Sequence, residues 1–173
     1  MAEVERTRER ERPPIKDNPY EAVLRQRAAL KERNLKGPVV IRADEMEVFQ
    51  SRQGKLKFFM DPVFPPFKDR PLQQWRVFTH TIATKSGKHV HQGGLLIFVL
   101  EGKGYSIVDG ERWDWEKGDL VLLPLKPGGV EHQHFNLDTK PSVWAAFINV
   151  PVQEHLASDL QQKETSPDFK EGQ

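Results

Sequence analysis

The stretches that decide the fold are HVHQGGLLIFVLEGKG at residues 89–104 and EHQHFN at residues 131–136. Each contains two histidines that are two positions apart, His89 with His91 and His132 with His134. Because side chains at i and i+2 of a β-strand project to the same face, each pair can present two imidazoles to one side of a strand. We therefore predict one metal site, with the two pairs facing each other across a β-barrel.

Composition limits the classes of function. The chain has 173 residues, enough for one hydrophobic core, and no cysteine, so disulfides and thiolate metal sites are excluded. Lys plus Arg number 26 and Asp plus Glu 25, a balance that gives no reason to expect nucleic acid or an anionic membrane as partner. Without a long apolar run or an apolar N-terminal segment, we expect a soluble, cytoplasmic protein.

Changes in amino-acid composition along the chain predict four segments. Residues 3–12 alternate charge without apolar periodicity, and Pro13-Pro14 follows, so we expect residues 1–17 to form a disordered charged arm. Residues 18–37 predict a helix with Asn18 as N-cap and Pro19 in its first turn. Residues 38–152 predict the β-barrel, and residues 153–173 predict a polar C-terminal tail that frays.

Short β-branched and aromatic runs separated by turns predict an all-β fold. Asp109-Gly110 is the strongest hairpin signal among the turns. Residues 60–73 contain four prolines and predict a surface loop or lid beside the barrel. The predicted strands are Val39 to Ile41, Leu56 to Phe59, Trp75 to Ile82, Leu95 to Leu100, Tyr105 to Val108, Glu111 to Trp115, Leu120 to Leu123, Val130 to Phe135 and Val143 to Val150.

Residues 87–136 resemble the two signature motifs of the cupin superfamily. His89-Val90-His91 and Gly102 keep the spacing of the first motif, and Pro127, His132 and Asn136 keep that of the second. The resemblance implies a double-stranded β-barrel, or jelly roll, with a short N-terminal helix. The glutamate of the first motif is missing, since its position falls at Leu95 or Leu96.

In lacking this glutamate, the chain resembles the three-histidine cupins, which include gentisate, salicylate and diketone-cleaving dioxygenases. The resemblance implies that the metal ligands of this chain are His89, His91 and His132. Gentisate-type enzymes commonly carry an arginine two residues beyond the missing glutamate, where it can meet the substrate carboxylate. This chain has Ile97 there, so that carboxylate anchor is absent.

Three neutral imidazoles leave a divalent ion its full charge and open coordination positions, which suits Fe(II), a small oxygenated substrate and O2. Mn, Ni, Zn or Cu would also accept such ligands. We predict His134 and Gln92 as catalytic groups near the metal. Leu95 and Ile97 continue the histidine face and predict an apolar substrate pocket. The leading interpretation is an Fe(II) dioxygenase that cleaves a C–C bond of a small aromatic or enolisable compound.

Two other functions are open at this point. One is a non-redox lyase or isomerase with Mn, Ni or Zn, and the other is a small-molecule-binding cupin without turnover. His80 and His155 are interpreted as structural, and Glu101 as a turn residue rather than a ligand. Cupins of this size commonly dimerise, so a homodimer is expected, with Leu96, Phe98 and Leu100 as outer core or dimer contacts.

Overall fold

The structure, a computed structural model, describes residues 17–155 and 160–170. It confirms an all-β fold with two hydrogen-bonded sheets. The strands are β1 Phe49–Ser51, β2 Gly54–Met60, β3 Trp75–Ile82, β4 Lys88–His91, β5 Leu95–Glu101, β6 Lys103–Val108, β7 Glu111–Glu116, β8 Leu120–Leu123, β9 Val130–Asn136, β10 Ser142–Asn149 and β11 Leu160–Glu164. The first sheet has the strand order β1-β2-β3-β10-β5-β8, and the second has the order β11-β4-β9-β6-β7.

Two α-helices flank the strands. The first, α1, spans Pro19–Lys36, and Asn18 caps it by accepting a hydrogen bond from Tyr20 N at 2.9 Å. None of its residues is buried against the described part of the chain. The second, α2, spans Val150–His155 and follows β10 directly. No helix in the described part of the chain has the length and apolar character needed to cross a bilayer.

The core lies between the sheets and follows from strand alternation. In β5, Leu95, Ile97 and Val99 are buried, whereas Leu96, Phe98 and Leu100 between them are exposed. Strands β3 and β10, which pair antiparallel along their full length, complete the same wall. The buried apolar cluster contains Ile82, Leu95, Ile97, Leu123, Val130, Trp144, Ala146 and Ile148.

The predicted hairpin at Asp109-Gly110 joins β6 to β7. Both turn residues have positive φ angles, 51° for Asp109 and 88° for Gly110, and Val108 pairs with Glu111. Two successive positive φ angles match the twist of adjacent strands, which explains why Asp-Gly is favoured here.

The two ends of the fold differ from the sequence-based expectation. Residues 160–164 of the predicted tail form β11, which pairs antiparallel with β4, so this segment belongs to the second sheet. Residues Val39 to Ile41 form no strand, and Val39 is 97% exposed, because they have no partner strand. The last predicted strand ends at Asn149, and Val150 begins α2. The predicted arm at 1–17 lies outside the described residues except for Asp17.

Residues 60–73 are not a fully solvated loop. They contain a 3-10 turn at Pro65–Phe67, and Asp61, Phe67 and Arg70 are buried. Phe64 lines a cavity whose other lining residues come from both sheets. This segment therefore contributes to one wall of that cavity.

Candidate metal centre

The two histidine pairs lie on neighbouring strands of one sheet. Strands β4 and β9 are antiparallel, and His89 is directly opposite His132. The expectation that the pairs face each other across the barrel was therefore wrong. Directly opposed residues of an antiparallel pair bring their Cβ atoms to about 5 Å, which places these imidazoles side by side.

Three of these histidines converge on one point. His89, His91 and His132 each offer a ring nitrogen, and these three atoms lie within 4.8 Å of one another. The His89 and His132 ring centroids are 4.2 Å apart, and those of His91 and His132 are 4.7 Å apart. Neighbouring donor atoms at such distances can share a single ion, so these residues could hold a metal.

The hydrogen bonds of the rings bear on how well they fit a metal. His132 Nδ1 lies 3.0 Å from the carbonyl oxygen of Val130 and can only donate to it, so the lone pair remains at Nε2. His132 Nε2 and His89 Nδ1 are buried and have no hydrogen-bond partner. His91 Nδ1 accepts from Gly93 N at 2.9 Å, so ligation through its Nε2 requires ring rotation or movement of its proton. Two unpartnered buried nitrogens are the groups that a bound cation would satisfy.

Burial keeps these rings neutral. Desolvation, together with the nearby rings of His132, His91 and His80, lowers the pKa of His89 to about 2. Desolvation, with the nearby His132, lowers the pKa of His91 to about 3, and desolvation also lowers the pKa of His132. Neutral imidazoles have free lone pairs at pH 7, which is the form that binds metals.

His134 lies beside the triad but belongs to a different hydrogen-bond network. Trp115 Nε1 donates to Ser106 Oγ at 2.9 Å, and Ser106 Oγ lies 2.7 Å from His134 Nδ1. Ser106 is fully buried, and its hydroxyl hydrogen is satisfied if it donates to His134 Nδ1. The His134 ring hydrogen is then on Nε2, so this ring is a donor and not a metal ligand.

The imidazoles form one wall of a cavity of about 350 Å³. Leu95, predicted as a pocket residue, lines it, and so does His134. Ile97 and Gln92 are not among its lining residues. Ile97 is part of the buried core, and the Gln92 side-chain amide donates to the backbone oxygen of Gln153. The structure therefore gives Ile97 and Gln92 packing and linking positions rather than positions at the site.

Strand β3 contributes cavity residues that the sequence analysis missed. Arg76, Phe78 and His80 occupy alternate positions and all line the cavity. Burial lowers the pKa of His80 to about 4, and its ring lies 4.7 Å from that of Trp144 in an edge-to-face contact. The sequence could have indicated these three residues, because they lie at i, i+2 and i+4 of the predicted strand at 75–82 and therefore share one face.

The remaining candidates lie away from the triad. Glu101, at the end of β5, and His155, at the end of α2, are both exposed. Neither belongs to a cluster of potential metal ligands within the described ranges.

A prediction arises from the Ser106 network. Ser106→Ala should lower the free energy of unfolding by about 2 kcal/mol or more, because two buried polar groups lose their shared partner. Urea unfolding of Ser106→Ala, Trp115→Phe and the double variant would measure the coupling between the two side chains. Additive losses would contradict the network.

Known proteins with similar sequences agree with this geometry. Residues 78–150 match the cupin domain family. A 65-residue stretch is 34% identical to gentisate 1,2-dioxygenase of Ralstonia sp, covering 37% of this chain and 18% of that enzyme. The chain therefore spans about a fifth of the length of the curated relatives it matches.

Solved structures share the fold. A variant of Streptomyces PAC13 with uridine has a TM-score of 0.53 at 11% identity, covering 76% of this chain and 95% of that one. A mutant of Bacillus subtilis oxalate decarboxylase has a TM-score of 0.50 at 18% identity, covering 70% of this chain and 31% of that one. At these identities the likeness concerns the fold alone.

Proposed function

We propose that this chain, a member of the cupin superfamily through residues 78–150, is a metal-dependent dioxygenase that cleaves a C–C bond of a small oxygenated compound. In this proposal His89, His91 and His132 hold Fe(II), and the substrate is aromatic or enolisable. The observation that carries the proposal is the convergence of three neutral imidazoles on the wall of a largely apolar cavity. Within the described residues, no carboxylate belongs to this histidine cluster.

The chemistry of the ligand set supports iron. When bound, Fe(II) would supply one-electron chemistry and polarise two substrate oxygens. The protein contributes three neutral ligands, so the ion keeps its 2+ charge and attracts enolate or phenolate oxygens. The apolar walls of the cavity are formed by Leu56, Phe58, Phe64, Phe78, Leu95 and Ile148. These side chains exclude water and favour a planar or aliphatic substrate.

His134 has a positioning role in this proposal. Its Nδ1 is engaged by Ser106, so its Nε2 hydrogen is available to an oxygen of the substrate. Burial lowers the pKa of His134 well below its ordinary value, with the nearby rings of His132, His80, His89 and His91 adding to the effect. The ring is therefore a neutral donor at pH 7 and can orient a substrate oxygen without adding charge.

The gentisate dioxygenase similarity supports the reaction class only in part. The matched stretch is 65 residues long, and most of each relative's length has no counterpart in this chain. A non-redox lyase or isomerase with Mn, Ni or Zn would use the same three histidines. The two functions differ in one property, the consumption of O2.

The test is O2 uptake by protein reconstituted anaerobically with Fe(II), measured against dihydroxybenzenes, hydroxyaryl ketones and β-diketones. We expect uptake that depends on both Fe(II) and one class of substrate, and no uptake by the Zn(II)-loaded protein. Stoichiometric iron with no uptake on any substrate would overturn the dioxygenase and favour the non-redox function. Failure to bind any divalent metal would overturn both.

The homodimer expected from the sequence stays a prediction. The outer face of β5 and β8 offers a surface for it, since it exposes an apolar patch formed by Leu96, Phe98, Leu100, Leu120 and Leu122. Contiguous apolar patches on a soluble protein commonly mark contact sites.

A further inference from the structure

We propose that Arg76 binds a carboxylate of the substrate, at a point in the cavity separate from the metal-chelating oxygens. This inference rests on the proposed function and names the substrate class: a compound with two chelating oxygens at one end and a carboxylate on a separate arm. The carboxylate anchor that gentisate-type enzymes carry is absent at Ile97, and Arg76 stands on a different strand.

The guanidinium of Arg76 is held in place from two sides. Its Nε donates to Asp61 Oδ2 at 2.6 Å, and its Nη1 donates to Gln153 Oε1 at 3.0 Å. Asp61 itself is 1% exposed, and its other oxygen accepts from Val63 N at 2.7 Å. Each oxygen of Asp61 therefore accepts one hydrogen bond, one from its own loop and one from the guanidinium.

Part of the guanidinium remains available to a ligand. It has five N–H groups, and the hydrogen bonds to Asp61 and Gln153 use two of them. Nη2 also forms an ion pair with Glu154 Oε1 at 3.8 Å, a distance too long for a hydrogen bond. The Arg76 side chain is 20% exposed and lines the cavity. A guanidinium fixed in this way is prepared for bidentate contact with a carboxylate.

A divalent ion bound at the histidines would make the cavity favour an anion. Arg76 and Asp61 are the only side chains with formal charge among the described residues that line it, and their charges cancel. The neutral histidines leave the 2+ charge of a bound divalent ion uncompensated. A substrate with a chelating anionic end and a carboxylate would balance this charge.

The strand geometry separates the carboxylate from the metal. Arg76 and His80 lie on the same face of β3, so their Cα atoms are about 13 Å apart at roughly 3.3 Å per residue. His80 lies on the side of the metal histidines, since its ring and that of His134 both pack against Trp144, at centroid distances of 4.7 Å and 5.2 Å. Phe78 lies between the two positions and also lines the cavity. The carboxylate therefore belongs on a side chain of the substrate, not on the carbon next to a chelating hydroxyl.

The test is calorimetric binding to the Zn(II)-loaded protein, which needs no turnover. The probes are hydrocaffeate, a catechol with a propanoate side chain, its primary amide, and a catechol with the carboxylate next to a hydroxyl. We expect the unmodified protein to bind hydrocaffeate at least ~10-fold more tightly than the amide, as hydrogen bonds between charged groups typically allow. The catechol with the ring carboxylate should show no such advantage over the amide.

Arg76→Gln should abolish the preference for hydrocaffeate and leave the affinity for the amide within about threefold. The double variant Asp61→Asn/Arg76→Gln leaves no unpaired buried charge, so its loss of the same preference would separate the effect on binding from loss of stability. Equal affinities for hydrocaffeate and its amide in the unmodified protein would overturn the proposal. So would an equal loss for both probes in Arg76→Gln, or no binding of hydrocaffeate.

These outcomes are distinguishable from failure of the dioxygenase. Carboxylate preference without O2 uptake on any substrate would retain Arg76 as an anchor and overturn the oxidative reaction. O2 uptake with no preference for the carboxylate would do the reverse.

Discussion

His132→Ala is expected to lower Fe(II) affinity and substrate-dependent O2 uptake by more than about 100-fold, because loss of an outer-shell partner alone costs up to ~100-fold. The His132 ring lies nearest to both other members of the triad, at centroid distances of 4.2 Å and 4.7 Å. Its Nδ1 donates to Val130, which directs the Nε2 lone pair toward the site. Metal content after gel filtration and calorimetric titration with Fe(II) would measure the loss.

Two matched variants control this experiment. His155→Ala changes an exposed histidine on α2 and should leave metal content unchanged. His134→Ala changes the neighbouring inward residue of β9 and should retain metal while turnover falls. Circular dichroism must show that each variant is folded. Full iron occupancy with unchanged turnover in a folded His132→Ala would contradict the assignment of this histidine as a ligand.

Acidification should unfold the metal-free protein, because its histidines bind protons more readily in the unfolded chain than when they are buried. Folding lowers the pKa of these histidines, to about 4 for His80 and about 2 for His89, chiefly through burial. The unfolded chain therefore takes up more protons below about pH 6.5, and stability falls as pH falls. At pH 5, each such histidine lowers the free energy of unfolding by about 2 kcal/mol. Several together approach the whole free energy of unfolding of an ordinary domain.

Urea unfolding of the metal-free protein at pH 7, 6 and 5 would measure this effect. The free energy of unfolding should decrease steadily as the pH falls, and His80→Gln should have a shallower dependence than the unmodified protein. Saturating Zn(II) should raise stability at pH 7 and lose this effect at pH 5, since protons compete for the same lone pairs. A stability that is constant between pH 7 and pH 5 would contradict the neutral buried state of these rings.

Much of the two-sheet fold could be predicted from local pattern. Strands β3 and β8 occur at the predicted residues, and β5 shows the predicted alternation of buried Leu95 and Ile97 with exposed Leu96 and Phe98. The hairpin at Asp109-Gly110 was also predicted, because its backbone requirement is local.

The strands that the prediction missed depend on distant partners. Strand β11 has the composition LQQKE, which carries little β-propensity, and exists because β4 provides an open edge beside it. Strand β1 is three residues long and pairs with β2 across a tight turn. Pairing of this kind is settled by tertiary contacts, so composition alone could not indicate it.

The sequence by itself determined which residues could bind a metal, because two His-x-His spacings put side chains on one face of a strand whatever the surrounding fold. Only the tertiary structure decided that β4 and β9 are neighbours, so that His89, His91 and His132 meet while His134 turns to Ser106. It also decided that Arg76 enters the cavity with Asp61 and Gln153. Spacing acts within one strand, whereas these contacts join residues far apart in the chain, and only folding brings them together.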